Sequence, residues 1–352
     1  MPEKYSNVRI NSSVPLISPL MLAKQFPLSA HLKKTVLSAR DTASNIINGQ
    51  DQRLLVIAGP CSIHDTRAAY EFAELLYKAS QYFHDELFII MRVYFEKPRT
   101  TLGWRGLIND PHLDESFDIN HGLKIARQFL LDLTELGIPA ATEFLDPMVP
   151  QYLSDFISWN AVGARTVESQ LHREIASGLP APVGFKNTTE GNIQIAVDAV
   201  NTARHSHHFL SIDENGNPVI MKTKGNDCCH IILRGAHEKS NHSAIHIAHA
   251  IRMLKNAYLL PHLMIDCSHG NSRKNYQNQM MTAYSIAKQI AAGSNEIFGV
   301  MLESHLIAGN QHLEKNKILT YGQSITDECI SWDETMKILH TLAAANQQRK
   351  QK

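Results

Sequence analysis

Eight short apolar runs recur along the 352-residue chain, and almost every one hands over at its C-terminal end to a charged or metal-binding residue. The runs are Leu54 to Ala58, Leu87 to Met91, Ile138 to Thr142, Trp159 to Ala164, Pro182 to Phe185, His230 to Leu233, Leu263 to Ile265 and Ile297 to Leu302. They open in turn onto Cys61, Arg92, Glu143, Arg165, Lys186, Arg234, His269 and Glu303. A continuous apolar run between helical segments reads as a strand buried on both faces, which a parallel sheet with crossover helices requires. Eight of them predict an α/β fold, a closed (β/α)8 TIM barrel with its chemistry at the C-terminal rim.

Helical periodicity fills the intervals. Asp65 is placed to cap a helix whose Ala68, Ala69, Phe72, Leu75, Leu76 and Ala79 share one face. A second helix over Ile119 to Leu136 stops at Gly137, a candidate left-handed cap. Two segments stand outside the alternation. Residues 1–50 contain Pro15, Pro19 and Pro27 and read as an N-terminal arm plus a helix near Leu32 to Ile47. Residues 209–223 carry Asn215-Gly216 between two extended stretches, a hairpin signal set into the β5–β6 region of the barrel. The expected organisation is therefore an extension over 1–50 and a catalytic barrel over 51–352 with the hairpin inserted, both additions serving assembly or regulation.

Charge and cysteine usage narrow the class. The formal net charge of +0 speaks against a nucleic-acid-binding surface, and no apolar stretch approaches the roughly 18 residues of a membrane span. The first ten residues lack a signal-peptide pattern, and five cysteines, an odd number with Cys228 and Cys229 adjacent, suit a reducing compartment. A cytoplasmic protein is expected. Neither a Walker A sequence nor a GxGxxG between strand and helix is present.

The rim residues fall into two sets. Arg92, Lys97, Arg99, Arg165, Lys186 and Arg234 follow strand ends on one face. Converging cations need an anionic partner, and phosphate and carboxylate suit arginine forks and lysine point charges. Cys61, His269, Glu303 and Asp327 offer a thiolate, an imidazole and two carboxylates from loops that meet where strands one, seven and eight adjoin. Such a mixed set suits one divalent ion of the Mn, Fe, Co or Zn type. His242, His246 and His249 have helical spacing away from the strand ends and are set aside. The residues alone thus indicate a metal-assisted reaction of phosphorylated, carboxylated small molecules.

Longer local sequences carry a family resemblance. Gly59-Pro60-Cys61-Ser62-Ile63-His64-Asp65 and the block from Arg92 to Thr101 closely resemble the first two rim loops of class I 3-deoxy-D-arabino-heptulosonate 7-phosphate (DAHP) synthase. Further matches are Gly163 to Thr166, Gly184 to Asn187, Ile232 to Gly235, Asp266 to Ser272, Glu303 to His305 and Ser324 to Asp327, in order from about Val8 to Ala345. The resemblance implies condensation of phosphoenolpyruvate with erythrose 4-phosphate at the head of the shikimate route. It implies that Arg92, Lys97, Arg165, Lys186 and Arg234 hold phosphoenolpyruvate, that Pro98, Arg99 and Thr100 position the sugar phosphate, and that Cys61, His269, Glu303 and Asp327 hold the metal. Lys97, crowded by cations, is expected to have a lowered pKa and to shuttle a proton, with Glu143 orienting water or that lysine. Cys329, two residues beyond Asp327, is expected to join Cys61 on metal-catalysed oxidation.

The same resemblance gives the two additions a role. It implies a homodimer or homotetramer, feedback-inhibited by an aromatic amino acid at positions including Pro150, Gln151, Leu179, Phe209 and Ser211. The small Ser211 hydroxyl leans toward phenylalanine, whereas Pro180 departs from the usual serine and much of the remaining sequence looks like the tyrosine-sensitive form. Two rival readings are another phosphoenolpyruvate-dependent aldol synthase, of the 3-deoxy-octulosonate 8-phosphate type, and a non-catalytic amino-acid-binding barrel. The Lys97 to Thr100 loop and the two additions oppose the first, and the intact metal and cation sets oppose the second.

Overall fold

Why the chain closes on itself is visible strand by strand. In the computed structural model, which describes residues 7–99, 101–237, 239–314 and 318–352, eight parallel strands form one closed barrel. They are β1 (Leu54–Gly59), β2 (Leu87–Arg92), β3 (Ala140–Glu143), β4 (Ile157–Val162), β5 (Val183–Lys186), β8 (Cys229–Leu233), β9 (Leu263–Asp266) and β10 (Ile297–Glu303). Each corresponds to one of the eight apolar runs. Two further strands, β6 (His208–Ile212) and β7 (Pro218–Lys222), pair antiparallel outside the barrel, between the fifth and sixth barrel strands. Gly216 takes the positive φ of 86° that their turn requires.

Strand side chains alternate, and the barrel uses both sets. Leu54, Val56 and Ala58 face outward to pack with Phe72, Ala73 and Leu76 of α3 (Thr66–Tyr82). Leu55, Ile57, Ile90, Ala141, Trp159, Ala161, Ile232, Met264 and Met301 face inward as a separate apolar cluster. Ala43, Ile46 and Ile47 of α2 (Ala30–Ile47) complete that cluster, so the helix predicted near Leu32 to Ile47 plugs the N-terminal mouth. Arg40 of the same helix fastens it to β4, donating to the carbonyls of Ile157 at 2.9 Å and Ser154 at 2.7 Å.

Helix boundaries follow local chemistry. Asp65 accepts from the amides of Arg67 and Ala68 and starts α3. Gly137, at φ 91°, ends α4 (Ile119–Leu136). The C-terminal α10 (Trp332–Lys350) opens with a reciprocal capping box between Ser331 and Glu334. One helix was not anticipated: α1 (Pro19–Gln25) lies in the arm, with Ser18 as its cap and Pro19 in its first turn. No helix among the described residues is long and apolar enough to cross a membrane.

Trp159, fully buried among the inward residues, has an indole nitrogen with no hydrogen-bond partner. Trp159→Ala is expected to lower unfolding stability by roughly 3–5 kcal/mol through the cavity it leaves. Trp159→Phe should cost much less, since no hydrogen bond is lost. Denaturant midpoints of the two variants check both outcomes.

Candidate functional site

The inward alternation continues one step past the apolar plug and there turns polar. Gly59, Arg92, Glu143, Gly163, Lys186, Arg234, Asp266 and Glu303 follow the inward residues of their strands at the C-terminal rim. One layer of the barrel interior thus carries most of the charged residues that the strand ends announced, and all the charged ones in it are buried.

A donor cluster occupies one side. One ligand atom each from Cys61, Glu303 and Asp327 lies within 4.8 Å of the others. The Cys61 sulfur is 3.5 Å from Asp327 Oδ2 and accepts the Asp327 amide at 3.4 Å. His269, the fourth expected ligand, stands alongside with Nε2 3.7 Å from Glu303 Oε1, outside the tight trio. His269 has a positive φ of 57°, which few non-glycine residues adopt without a compensating role. Burial and the Glu303 carboxylate push the Cys61 thiol up to about 12. A soft thiol, an imidazole and two carboxylates, two of them shut away from water, fit a borderline divalent cation.

The cations sort themselves differently from a single cage. Arg92 donates to Glu303 Oε1 at 2.9 Å and to the Pro60 and Cys61 carbonyls, and its guanidinium lies 3.4 Å from the Tyr94 ring centroid. Lys97 Nζ is 3.1 Å from the Cys61 sulfur and 4.0 Å from Asp327 Oδ2. Its expected low pKa is corrected here: burial lowers it, but Cys61, Asp327 and Glu303 outweigh burial and raise the lysine above its ordinary value. The carboxylates of Asp327 and Glu303 lie among its neighbours, and Arg92 opposes them only weakly. Arg165 is exposed and donates to the Pro98 carbonyl at 2.8 Å, while Arg99 is exposed and Thr100 lies outside the described residues. Arg234 is buried with its Nε lacking a partner. Burial lowers its pKa, Asp266 acts against that, and neighbouring Arg165 lowers it further. A buried guanidinium with an unused donor beside a second arginine is poised for an external anion.

Glu143 is buried, and its Oε1 has no hydrogen-bond partner. Gly163 makes room for it, because a Cβ there would sit 2.3 Å from Oε1. The hydrogen bonds of Lys97 go instead to Cys61.

Two groups escaped the sequence reading. Asp266 is wholly buried and binds Lys186 Nζ at 2.7 Å and His269 Nδ1 at 3.0 Å. It follows Ile265 directly, so the inward alternation of β9 was the signal that pointed to it. Asn187, Asn241 and Asn271 stitch three rim loops together. The Asn187 amide oxygen accepts from the backbone of Arg234 at 2.9 Å and the side chain of Asn241 at 3.1 Å, and Asn271 Oδ1 accepts the Asn241 amide at 2.7 Å. His246 and His249, on α8 (Ala244–Asn256), are exposed and apart from this layer.

The expected effector positions lie elsewhere. Pro150 and Gln151 are on α5 (Val149–Leu153), Leu179 follows α6 (Gln170–Ala176), and Phe209 and Ser211 are on β6. The arm links them: Ile17 O accepts the Tyr152 hydroxyl at 2.7 Å, and the Leu20 amide donates to Glu214 O at 2.7 Å. Asn226 ties the carbonyls of Ala176, Leu179 and Ala181 to the strand that follows the hairpin. The Ser211 hydroxyl is buried without a partner.

Comparison with known proteins places the chain. The DAHP synthetase I family model matches residues 29–340. The chain is 52% identical over 350 residues to the Phe-sensitive phospho-2-dehydro-3-deoxyheptonate aldolase of Escherichia coli, spanning 99% of this chain and 100% of that protein. A Tyr-sensitive relative from Salmonella typhimurium is 48% identical over 341 residues, spanning 97% of this chain and 96% of that protein. The solved phospho-2-dehydro-3-deoxyheptonate aldolase from Francisella tularensis matches with a TM-score of 0.94 at 52% identity, covering 97% of this chain and 99% of that one.

Gly163→Ala is expected to displace the Glu143 carboxylate and cut turnover on the order of 10²-fold, with little change in thermal midpoint; steady-state kinetics and a melting curve check the pair. Cys329 Sγ lies 3.4 Å from the Cys61 amide, and both thiols are free. Metal-catalysed oxidation is expected to join Cys61 to Cys329 and inactivate the metal-free protein, and peptide mass spectrometry finding both thiols free after inactivation would refute this.

Proposed function

Because this chain belongs to the DAHP synthetase I family, we propose that it condenses phosphoenolpyruvate with D-erythrose 4-phosphate and water to give DAHP and phosphate. The observation that carries this reading is the shared rim layer, where the Cys61, Glu303 and Asp327 donors adjoin cations that include a buried arginine with an unused donor. An anion and a metal-bound electrophile would be held within reach of one another.

Arg165, Lys186 and Arg234, with Arg92 and Lys97, bind phosphoenolpyruvate by its phosphate and carboxylate, using charge-assisted hydrogen bonds. Pro98, Arg99 and Thr100 position the sugar phosphate. Cys61, His269, Glu303 and Asp327 would hold one divalent ion, of the Mn, Fe, Co or Zn type, which supplies Lewis-acid polarisation of the aldehyde. The enol carbon of phosphoenolpyruvate attacks the aldehyde carbon, water adds to the resulting cationic carbon, and the carbon–oxygen bond to phosphate then breaks. Lys97 Nζ is assigned to proton transfer at the aldehyde oxygen. Glu143, with an unused buried oxygen, orients the attacking water.

Control is assigned to the arm and hairpin. An aromatic amino acid would bind among Pro150, Gln151, Leu179, Phe209 and Ser211, where the buried Ser211 hydroxyl offers it a partner. Relatives named Phe-sensitive, Trp-sensitive and Tyr-sensitive match at 52%, 50% and 48% identity, so overall similarity does not choose the effector. A cytoplasmic homodimer or homotetramer completes the reading.

Phosphate release from phosphoenolpyruvate is expected only when erythrose 4-phosphate is present, to vanish with chelator and to return with Mn²⁺. Release with arabinose 5-phosphate instead would favour the octulosonate reaction, and no release with either aldehyde would favour a non-catalytic barrel. Adding each aromatic amino acid to the same assay identifies the inhibitor.

A further inference from the structure

We infer that Asp266 is a positioning residue that couples the metal site to the phosphoenolpyruvate site, an inference that rests on the site reading above. Its carboxylate is fully shut from water and uses both oxygens. Oδ1 accepts the Ser268 amide at 2.9 Å and the Ser268 hydroxyl at 2.5 Å. Oδ2 lies 2.7 Å from Lys186 Nζ and 3.0 Å from His269 Nδ1, and that nitrogen also stands 2.7 Å from the Ser268 hydroxyl. One oxygen atom therefore touches a residue of the anion pocket and a residue of the metal set.

The sharing has a direction. The Asp266 carboxylate and the Ser268 hydroxyl, whose own proton goes to Oδ1, both face Nδ1, so the proton stays on that nitrogen and the lone pair is left on Nε2, the atom nearer Glu303. When Nε2 donates its lone pair to a cation, Nδ1–H becomes a stronger donor and draws Oδ2 toward the imidazole. The hold on the Lys186 ammonium weakens, and its charge turns to an incoming phosphate or carboxylate. Metal binding thereby favours phosphoenolpyruvate binding, and by linkage phosphoenolpyruvate favours the metal by the same factor. Ser268 pins Oδ1, so the carboxylate pivots between its two cationic partners and does not leave them.

The test measures coupling and not turnover. Phosphoenolpyruvate is titrated calorimetrically into the full-length protein with and without Mn²⁺, and Mn²⁺ binding is followed by electron paramagnetic resonance with and without phosphoenolpyruvate. In the parent protein each ligand should tighten the other by about 5–150-fold, the usual span of allosteric coupling. In Asp266→Asn, Mn²⁺ affinity should fall about 10–100-fold, as for other lost partners of ligating histidines, and the coupling factor should collapse toward one. Ser268→Ala, which keeps the carboxylate but removes the hydroxyl that bridges Asp266 Oδ1 and His269 Nδ1, should lower the coupling by several-fold and serves if the first variant does not fold. A direct attraction between ion and phosphate would survive either substitution, so undiminished coupling in the folded variants overturns the inference, as does independent binding of the two ligands to the parent. A parent protein that binds neither ligand overturns the site reading itself.

Discussion

A charge taken out of water at the mouth of a closed barrel must be met there by an opposite charge, because losing one partner of such a pair costs roughly 3–5 kcal/mol. That constraint organises the rim. Arg92 answers Glu303 with side chains almost wholly buried, and Lys186 answers Asp266. Burial alone would push the Asp266 carboxyl up, yet Lys186 and His269 hold it well below the usual carboxylate range. The two pairs balance four of the six charged groups in the layer, which leaves Glu143, with its unpartnered Oε1, and Arg234, whose unused Nε makes it the cation of that layer open to a ligand.

Pairing of this kind demands that loops from different strands be held in fixed register. The asparagine lattice supplies it without adding charge. Asn187 follows β5, Asn241 lies between β8 and α8, and Asn271 follows β9. Gly235 and Gly270 permit the backbones to approach: a Cβ on Gly270 would sit 2.1 Å from the Ala236 carbonyl, and one on Gly235 2.5 Å from the Asn271 amide.

Continuous apolar runs between helical segments made the strands legible in the sequence, and capping chemistry at Asp65 and Gly137 made their helices so. What stayed hidden depends on neighbours far along the chain. The arm's prolines read as irregular backbone, yet Pro19 occupies a first helical turn, where the missing amide costs nothing, and it starts α1. Asp266 ends β9 and turns inward with its alternation, but its partners Lys186 and His269 come from the end of β5 and the loop after β9, which no local pattern brings together. Lys97 carries the clearest lesson. Its neighbours in sequence include Arg99 and its neighbours by motif are cations, but folding brings it to Cys61, 36 residues away, and toward Asp327. The sign of a pKa shift follows the nearest charges in space, which no local pattern encodes.

The arm and hairpin show the same dependence at lower cost. Neither contributes a barrel strand, and β6 and β7 carry the exposed Leu210 and Ile220 as a cross-strand pair. Their attachment combines hydrogen bonds, among them the Leu20 amide to the Glu214 carbonyl and the Tyr152 hydroxyl to the Ile17 carbonyl, with apolar packing of fully buried Leu22 and of Ile17 and Ile212 on the main core. Each of those hydrogen bonds contributes about 0.5–1.5 kcal/mol, well below what the rim charge pairs would cost to separate. The proposed control elements thus pack around a barrel whose rim geometry is held by buried charge.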